Sequence, residues 1–172
     1  YGGGGGGSYS GAGSGVAGGS GGGAGDANSS GGTGQAGQGY NGGTSGSAWG
    51  GGGGGGAGGA GANGVSGSQV AGGLPIYSSI TGTSIAYAGG GYGNSDGGAV
   101  NATGLNSSGT ALGTYGFGAN GTGSPNASPY SGNNGVVIIR YPSNYNLASN
   151  TTGSPTFLTA GGYNVYMFTA SG

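Results

Sequence analysis

The sequence predicts an irregular, all-β fold: packed polyglycine-II-type extended helices plus short β-strands, with essentially no α-helix. Three observations carry this expectation. Glycine makes up 57 of 172 residues, and each helical glycine costs about 1 kcal/mol relative to alanine. Val, Ile, Leu and Phe together number 20, too few for a conventional core in a chain of this length. The strongest β-patterns are confined to the C-terminal part, where glycine thins out.

Residues 1–64 hold 34 of the glycines, with unbroken runs at 2–7 and 50–56. Collagen requires glycine strictly at every third position and abundant proline, whereas here the spacing drifts and prolines number five. A flexible Gly/Ser linker suits the composition, but the segment is far longer than most linkers. The remaining solution is an extended helix with three residues per turn and about 3.1 Å rise, on which run 50–56 spans roughly 22 Å. Such a helix makes no internal hydrogen bonds, so its N–H and C=O groups project sideways. Glycine lets neighbouring helices come close enough to use them. Ordering each residue costs about 1–2 kcal/mol, so only a cooperative lattice that pairs nearly every backbone group offsets it. Trp49, beside the longest run, is expected to cap that lattice.

Residues 65–130 form a mixed Gly/Ser/Tyr segment, rich in loops. Short strands or loops are expected at 70–80 and 83–87. Residues 131–172 form a β-strand segment. Gly135-Val136-Val137-Ile138-Ile139-Arg140-Tyr141 is a β-branched run stopped by Pro142, which predicts a strand buried on both faces. Tyr163-Asn164-Val165-Tyr166-Met167-Phe168-Thr169 alternates, with Tyr163, Val165 and Met167 on one face and Tyr166 and Phe168 on the other. Phe157-Leu158 begins a third strand, its start set by Pro155.

Charge excludes much of chemistry. Lys, His, Cys and Glu are absent, leaving Asp26, Asp96 and Arg140. One cation provides no surface for phosphates, so no nucleic-acid partner is expected. Catalytic residues, metal ligands and cofactors are expected to be none, because most acid–base, nucleophilic and metal-binding parts are missing. Gly18-Gly19-Ser20-Gly21-Gly22 fits a nucleophile-elbow pattern, but no histidine exists to activate Ser20. Gly90-Gly91-Tyr92-Gly93-Asn94 approaches a calcium-binding repeat, with asparagine where aspartate belongs, and a turn around Asn94 to Gly98 is the plainer reading. Arg140 either pairs with Asp26 or Asp96 or faces solvent at a strand end. The longest apolar run, at 136–139, is four residues, far short of the roughly 18 of a membrane span.

Twelve tyrosines remain. Tyr77, Tyr87, Tyr92, Tyr115, Phe117 and Tyr130 lie among Gly, Ser and Asn, a composition shared with antibody binding loops. Two readings stand side by side: these rings contact a receptor such as a surface glycan, or they cover the glycine lattice as its hydrophobic packing.

The opening glycine block and the closing Gly135-Val136-Val137-Ile138-Ile139-Arg140-Tyr141 strand resemble glycine-rich domains of bacteriophage tail-fibre and other virion appendage proteins. The glycine content is similar to that of the tip adhesins of T-even-like phages, whose loops touch host receptors. The resemblance implies a non-enzymatic structural or adhesive segment of an extracellular virion appendage and a homo-oligomer, in fibres commonly a homotrimer. Its partners would be other virion proteins and a host cell-surface glycan or outer-membrane protein. It also implies that residues 161–172 look like the opening strand of a following unit. Met167 is the sole methionine, which reads as a piece or processed product of something longer. The alternatives are an extracellular glycine-rich fibril or scaffold without a receptor, an ice-binding surface, and a disordered Gly/Tyr segment.

Overall fold

The computed structural model describes residues 2–7, 13–25, 28–46, 49–94, 115–123 and 131–170. No helix occurs among them, and the strands are short and antiparallel. β1 (Ile76–Ser78) and β2 (Ile85–Tyr87) form a hairpin in which Ile76 faces Tyr87 and Ser78 faces Ile85. These strands fall within the two segments where strands or loops were expected.

β3 (Val137–Pro142), β4 (Thr156–Ala160) and β5 (Tyr163–Phe168) make a second sheet in the order β3-β5-β4. β4 starts directly after Pro155, as the sequence predicts. Gly161 and Gly162 join it to β5 with φ of 57° and 79°. Positive φ at both central residues is the mark of a type I′ turn, whose twist matches the flanking strands. Pro142 ends β3 opposite Tyr163, and an edge strand tolerates its missing N–H.

The expectation that β3 is buried on both faces is corrected: Val137 is 62% and Ile139 50% exposed. β5 holds the buried place instead, with Asn164, Val165, Tyr166 and Met167 all buried. Position explains the exchange. β5 lies between two partners and β3 at the rim, so hydrophobicity alone did not rank them. The Tyr141 ring stacks on Tyr166 at 6.1 Å and the Phe157 ring tilts against it at 4.9 Å, covering one face of β5. β5 is thus paired on both sides, by β3 and by β4.

The glycine-rich part carries a different pattern. In the stretch 50–57, whose residues 50–56 are buried, successive N–H groups change partner with a period of three. Gly51, Gly54 and Ala57 donate to Asn94, Gly91 and Ala88 at 3.0, 2.9 and 2.8 Å. Gly52 and Gly55 donate to Ala24 and Gly21, both at 2.8 Å, and Gly53 and Gly56 to Ala62 and Gly59 at 2.9 and 2.8 Å. The carbonyls keep the same rhythm. Gly52 and Gly55 accept from Gly7 and Gly4, Gly53 and Gly56 from Gly43 and Tyr40, and Gly54 from Gly73. A β-strand alternates its groups between two sides, so a period of three cannot belong to a sheet.

The outer stretches bond to one another at the same spacing. Gly91 and Asn94 donate to Gly4 and Gly7, Gly21 and Ala24 to Tyr40 and Gly43, and Gly118 and Gly121 to Gly89 and Tyr92. The network therefore extends past residue 64 and takes in 70–73, 88–94 and 116–121, where short glycine clusters suffice.

Space, not backbone handedness, demands glycine in the centre. Gly54 does not lie in the left-handed region, yet a Cβ built on it would overlap the Gly4 carbonyl. Trp49, expected as a packing cap, is half exposed and has a φ of 85°, in a region L-residues rarely occupy.

Candidate functional site

The six aromatic residues singled out from the sequence do not form one surface. Tyr92 and Phe117 are 1% and 5% exposed and make the buried cluster of the glycine-rich part. As receptor-contacting residues they are corrected: both serve packing, because so few other large side chains are present to fill the interior. Burial pushes the Tyr92 phenol up to about 12. Tyr130 lies outside the described residues.

Tyr87 and Tyr115 are brought together. The chain leaves β2 through Ala88, whose φ of 56° turns it toward the glycine-rich part. The Ala88 N–H donates to the Tyr115 carbonyl at 2.9 Å, and the two rings stack at 6.1 Å with an 18° interplanar angle. With Ile76, Ile80, Val136 and Ile138 they line a cleft of about 320 Å³ between the hairpin and β3. Tyr77 alternates to the other face of β1 and is 66% exposed. The cleft and Tyr77 therefore offer separate contact surfaces.

Chemically, this cleft has an aliphatic floor and one stacked phenol pair. Such a lining suits shape-based contact with an apolar group or a sugar ring. No group of three or more His, Cys, Asp or Glu that could hold a metal ion is found among the described residues. Asp26 and Asp96, the two acidic residues, lie outside them. Arg140 is exposed, and its guanidinium carbon stands 3.7 Å from the centre of the Tyr163 ring, a cation–π contact that the sequence did not foretell. Ser20 is buried in the glycine network, its Oγ without a hydrogen-bond partner. Asn94 is a member of that network: its N–H donates to Gly7 at 3.1 Å and its carbonyl accepts from Gly51, while the rest of the turn expected over 94–98 lies outside the described residues.

Sequence reasoning missed two features. A second, open groove of about 580 Å³ is lined by Gln38, Tyr40, Asn41, Ala57, Ala60 and Ile76, with the Tyr40 ring half exposed. The other is a recurrent Asn-Gly clamp. Asn63 Oδ1 accepts from the Thr44 N–H at 3.0 Å while the Gly64 N–H donates to the Thr44 carbonyl at 2.8 Å. Asn120 and Gly121 grip Tyr92 in the same manner, at 3.0 and 2.8 Å. Asn41 Oδ1 accepts from Gly34 and the Gly42 N–H donates to Gly32. The available signal was the dipeptide itself, which ordinarily reads as a hairpin turn.

No family model matches the chain, and neither a curated protein nor a solved structure matches it.

Proposed function

We propose that this chain is a non-enzymatic structural or adhesive segment of a phage tail fibre or another virion appendage, built on a lattice of polyglycine-II-type helices. One observation carries the lattice: partners around the stretch 50–57 recur every third residue, in step with a helix of three residues per turn. Three neighbouring stretches receive its N–H groups and three others donate to its carbonyls, as in a bundle packed on all sides.

The virion setting rests on the resemblance of the glycine block and the closing strand to appendage proteins. In that setting the segment does no chemistry. It presents a surface nearly free of charge whose backbone groups are mutually occupied, leaving proteases few extended chains to bind. A homotrimer and other virion proteins are the partners the resemblance implies. Contact with a host glycan or outer-membrane protein falls to Tyr77 and to the cleft of Tyr87 and Tyr115, since Tyr92 and Phe117 are buried.

Two measurements test the reading. Amide exchange should be slow throughout 50–56, and fast exchange there would remove the lattice. Antibody labelling of intact virions should decorate a fibre, and signal confined to capsid vertices or the baseplate collar would remove the fibre assignment.

A further inference from the structure

Four Asn-Gly dipeptides occur in the chain, at Asn41-Gly42, Asn63-Gly64, Asn120-Gly121 and Asn134-Gly135. In any such pair the glycine backbone nitrogen can attack the preceding side-chain amide. A missing Cβ on the attacking residue makes the approach easy. The attack needs the glycine N–H free and the asparagine side chain able to swing toward it.

The glycine network denies both at three of the four pairs. The N–H groups of Gly42, Gly64 and Gly121 donate to Gly32, Thr44 and Tyr92 at 3.0, 2.8 and 2.8 Å. Oδ1 of Asn41, Asn63 and Asn120 accepts from Gly34, Thr44 and Tyr92 at 2.9, 3.0 and 3.0 Å. Asn134-Gly135 differs in every respect. Both residues are exposed, and neither the Gly135 N–H nor the Asn134 side chain has a hydrogen bond among the described residues. No atom lies within 4 Å of where a Gly135 Cβ would stand. An open hollow of about 650 Å³, lined by Asn134, Gly135, Val137 and Phe168, gives water access and room for a ring.

We infer that Asn134-Gly135 is a self-modification site, at which the folded chain deamidates selectively through a cyclic imide. The Gly135 nitrogen bonds to Asn134 Cγ and loses its proton to solvent. The Cγ–Nδ2 bond breaks, and Nδ2 leaves as ammonia after taking a proton from water. A water molecule then opens either imide carbonyl, giving aspartate or isoaspartate. No oxidant, metal or enzyme is required.

Place gives the reaction its consequence. The Asn134 carbonyl accepts from Gly116 at 2.8 Å and the Asn133 N–H donates to Phe117 at 3.0 Å, so the pair is the joint between the glycine network and β3. Aspartate adds one carboxylate to a chain of formal net charge −1. Isoaspartate also routes the main chain through Cβ, adding a methylene ahead of β3, and turns the carbonyl that accepts from Gly116 into a side-chain carboxylate. The site thus marks the age of the folded molecule at its internal joint.

The test is peptide mapping by mass spectrometry after incubation of the native chain at mildly alkaline pH, with a parallel sample in denaturant. Asn134 should deamidate at least about tenfold faster than Asn41, Asn63 or Asn120 in the native sample, the ratio produced by a local opening cost of about 1.4 kcal/mol. In denaturant that preference should collapse. Equal native rates at the four pairs would overturn the inference, as would an undiminished preference in denaturant, which would make it a local sequence effect. Gly135→Ala, which the open space accommodates, should slow the reaction at Asn134. An unchanged rate in that variant would exclude the cyclic route.

Discussion

Asn120 holds Tyr92 from across the glycine network: the Tyr92 N–H donates to Asn120 Oδ1 at 3.0 Å, and the next residue, Gly121, donates to the Tyr92 carbonyl at 2.8 Å. Both residues are buried. Removing the side-chain amide leaves the Tyr92 N–H without its acceptor in a place water does not reach. Asn120→Ala should therefore destabilise the fold by about 1–3 kcal/mol in a denaturant melt. Asn63→Ala, at an exposed clamp, should cost less, because water replaces the lost acceptor.

Gly54→Ala places a methyl group against the Gly4 and Gly5 carbonyls, which are backbone, with no flexible side chain to yield. A loss of about 2 kcal/mol or more is expected from thermal or urea unfolding. Gly2→Ala is the control, since nothing lies within 4 Å of its Cβ position, and it should stay within about 0.5 kcal/mol of the parent.

Gly162→Ala tests the opposite constraint. Space is open there, but φ is 79°, so the substitution should cost about 1–2 kcal/mol through backbone conformation alone. Gly161→Asn should be nearly neutral, because asparagine adopts the left-handed region of a type I′ turn readily. The difference between the two variants isolates conformation from packing.

Tyr92 links stability to alkaline pH. Its hydroxyl is buried without a hydrogen-bond partner, and desolvation raises its pKa from 10.0 to about 12. The unfolded phenol releases its proton near its ordinary pKa while the folded one retains it. The contribution to stability is thus fully present below pH 10 and is lost as pH climbs through about 12. Tyr92→Phe should abolish that component and, by removing an unpaired hydroxyl, leave stability at neutral pH unchanged or raised by about 1 kcal/mol.

Arg140→Gln should weaken the second sheet only slightly, by about 0.5–1 kcal/mol, because the cation–π contact with Tyr163 is exposed. The effect should shrink to nothing in a Tyr163→Leu background, and a double-mutant cycle reads it directly.

Several elements were legible in the chain itself. Pro155 announced the start of β4, and the alternation from Tyr163 onward gave β5 its two faces. The rank of the strands was not legible. The most β-branched run, β3, became the exposed edge, and the more polar β5 became the centre, because sheet order depends on which strands pair and not on their composition. Among the candidate aromatics, Tyr87 and Tyr115 were placed in one cleft although 28 positions separate them. Tyr92 and Phe117 went inside. Local sequence looks alike around all four.

Sequence alone determined that this molecule has almost no ionic chemistry, no glycine-tolerant reason to form helices, and a backbone bare enough for close approach. Those properties follow from which side chains are absent. Only the tertiary structure decided which stretch neighbours which and in what register. A glycine run has no side chains to mark its place, so a slide of three residues restores the same hydrogen-bond directions. The register is fixed by the few residues that do carry a marker, as Asn120 does on Tyr92 and Asn63 on Thr44.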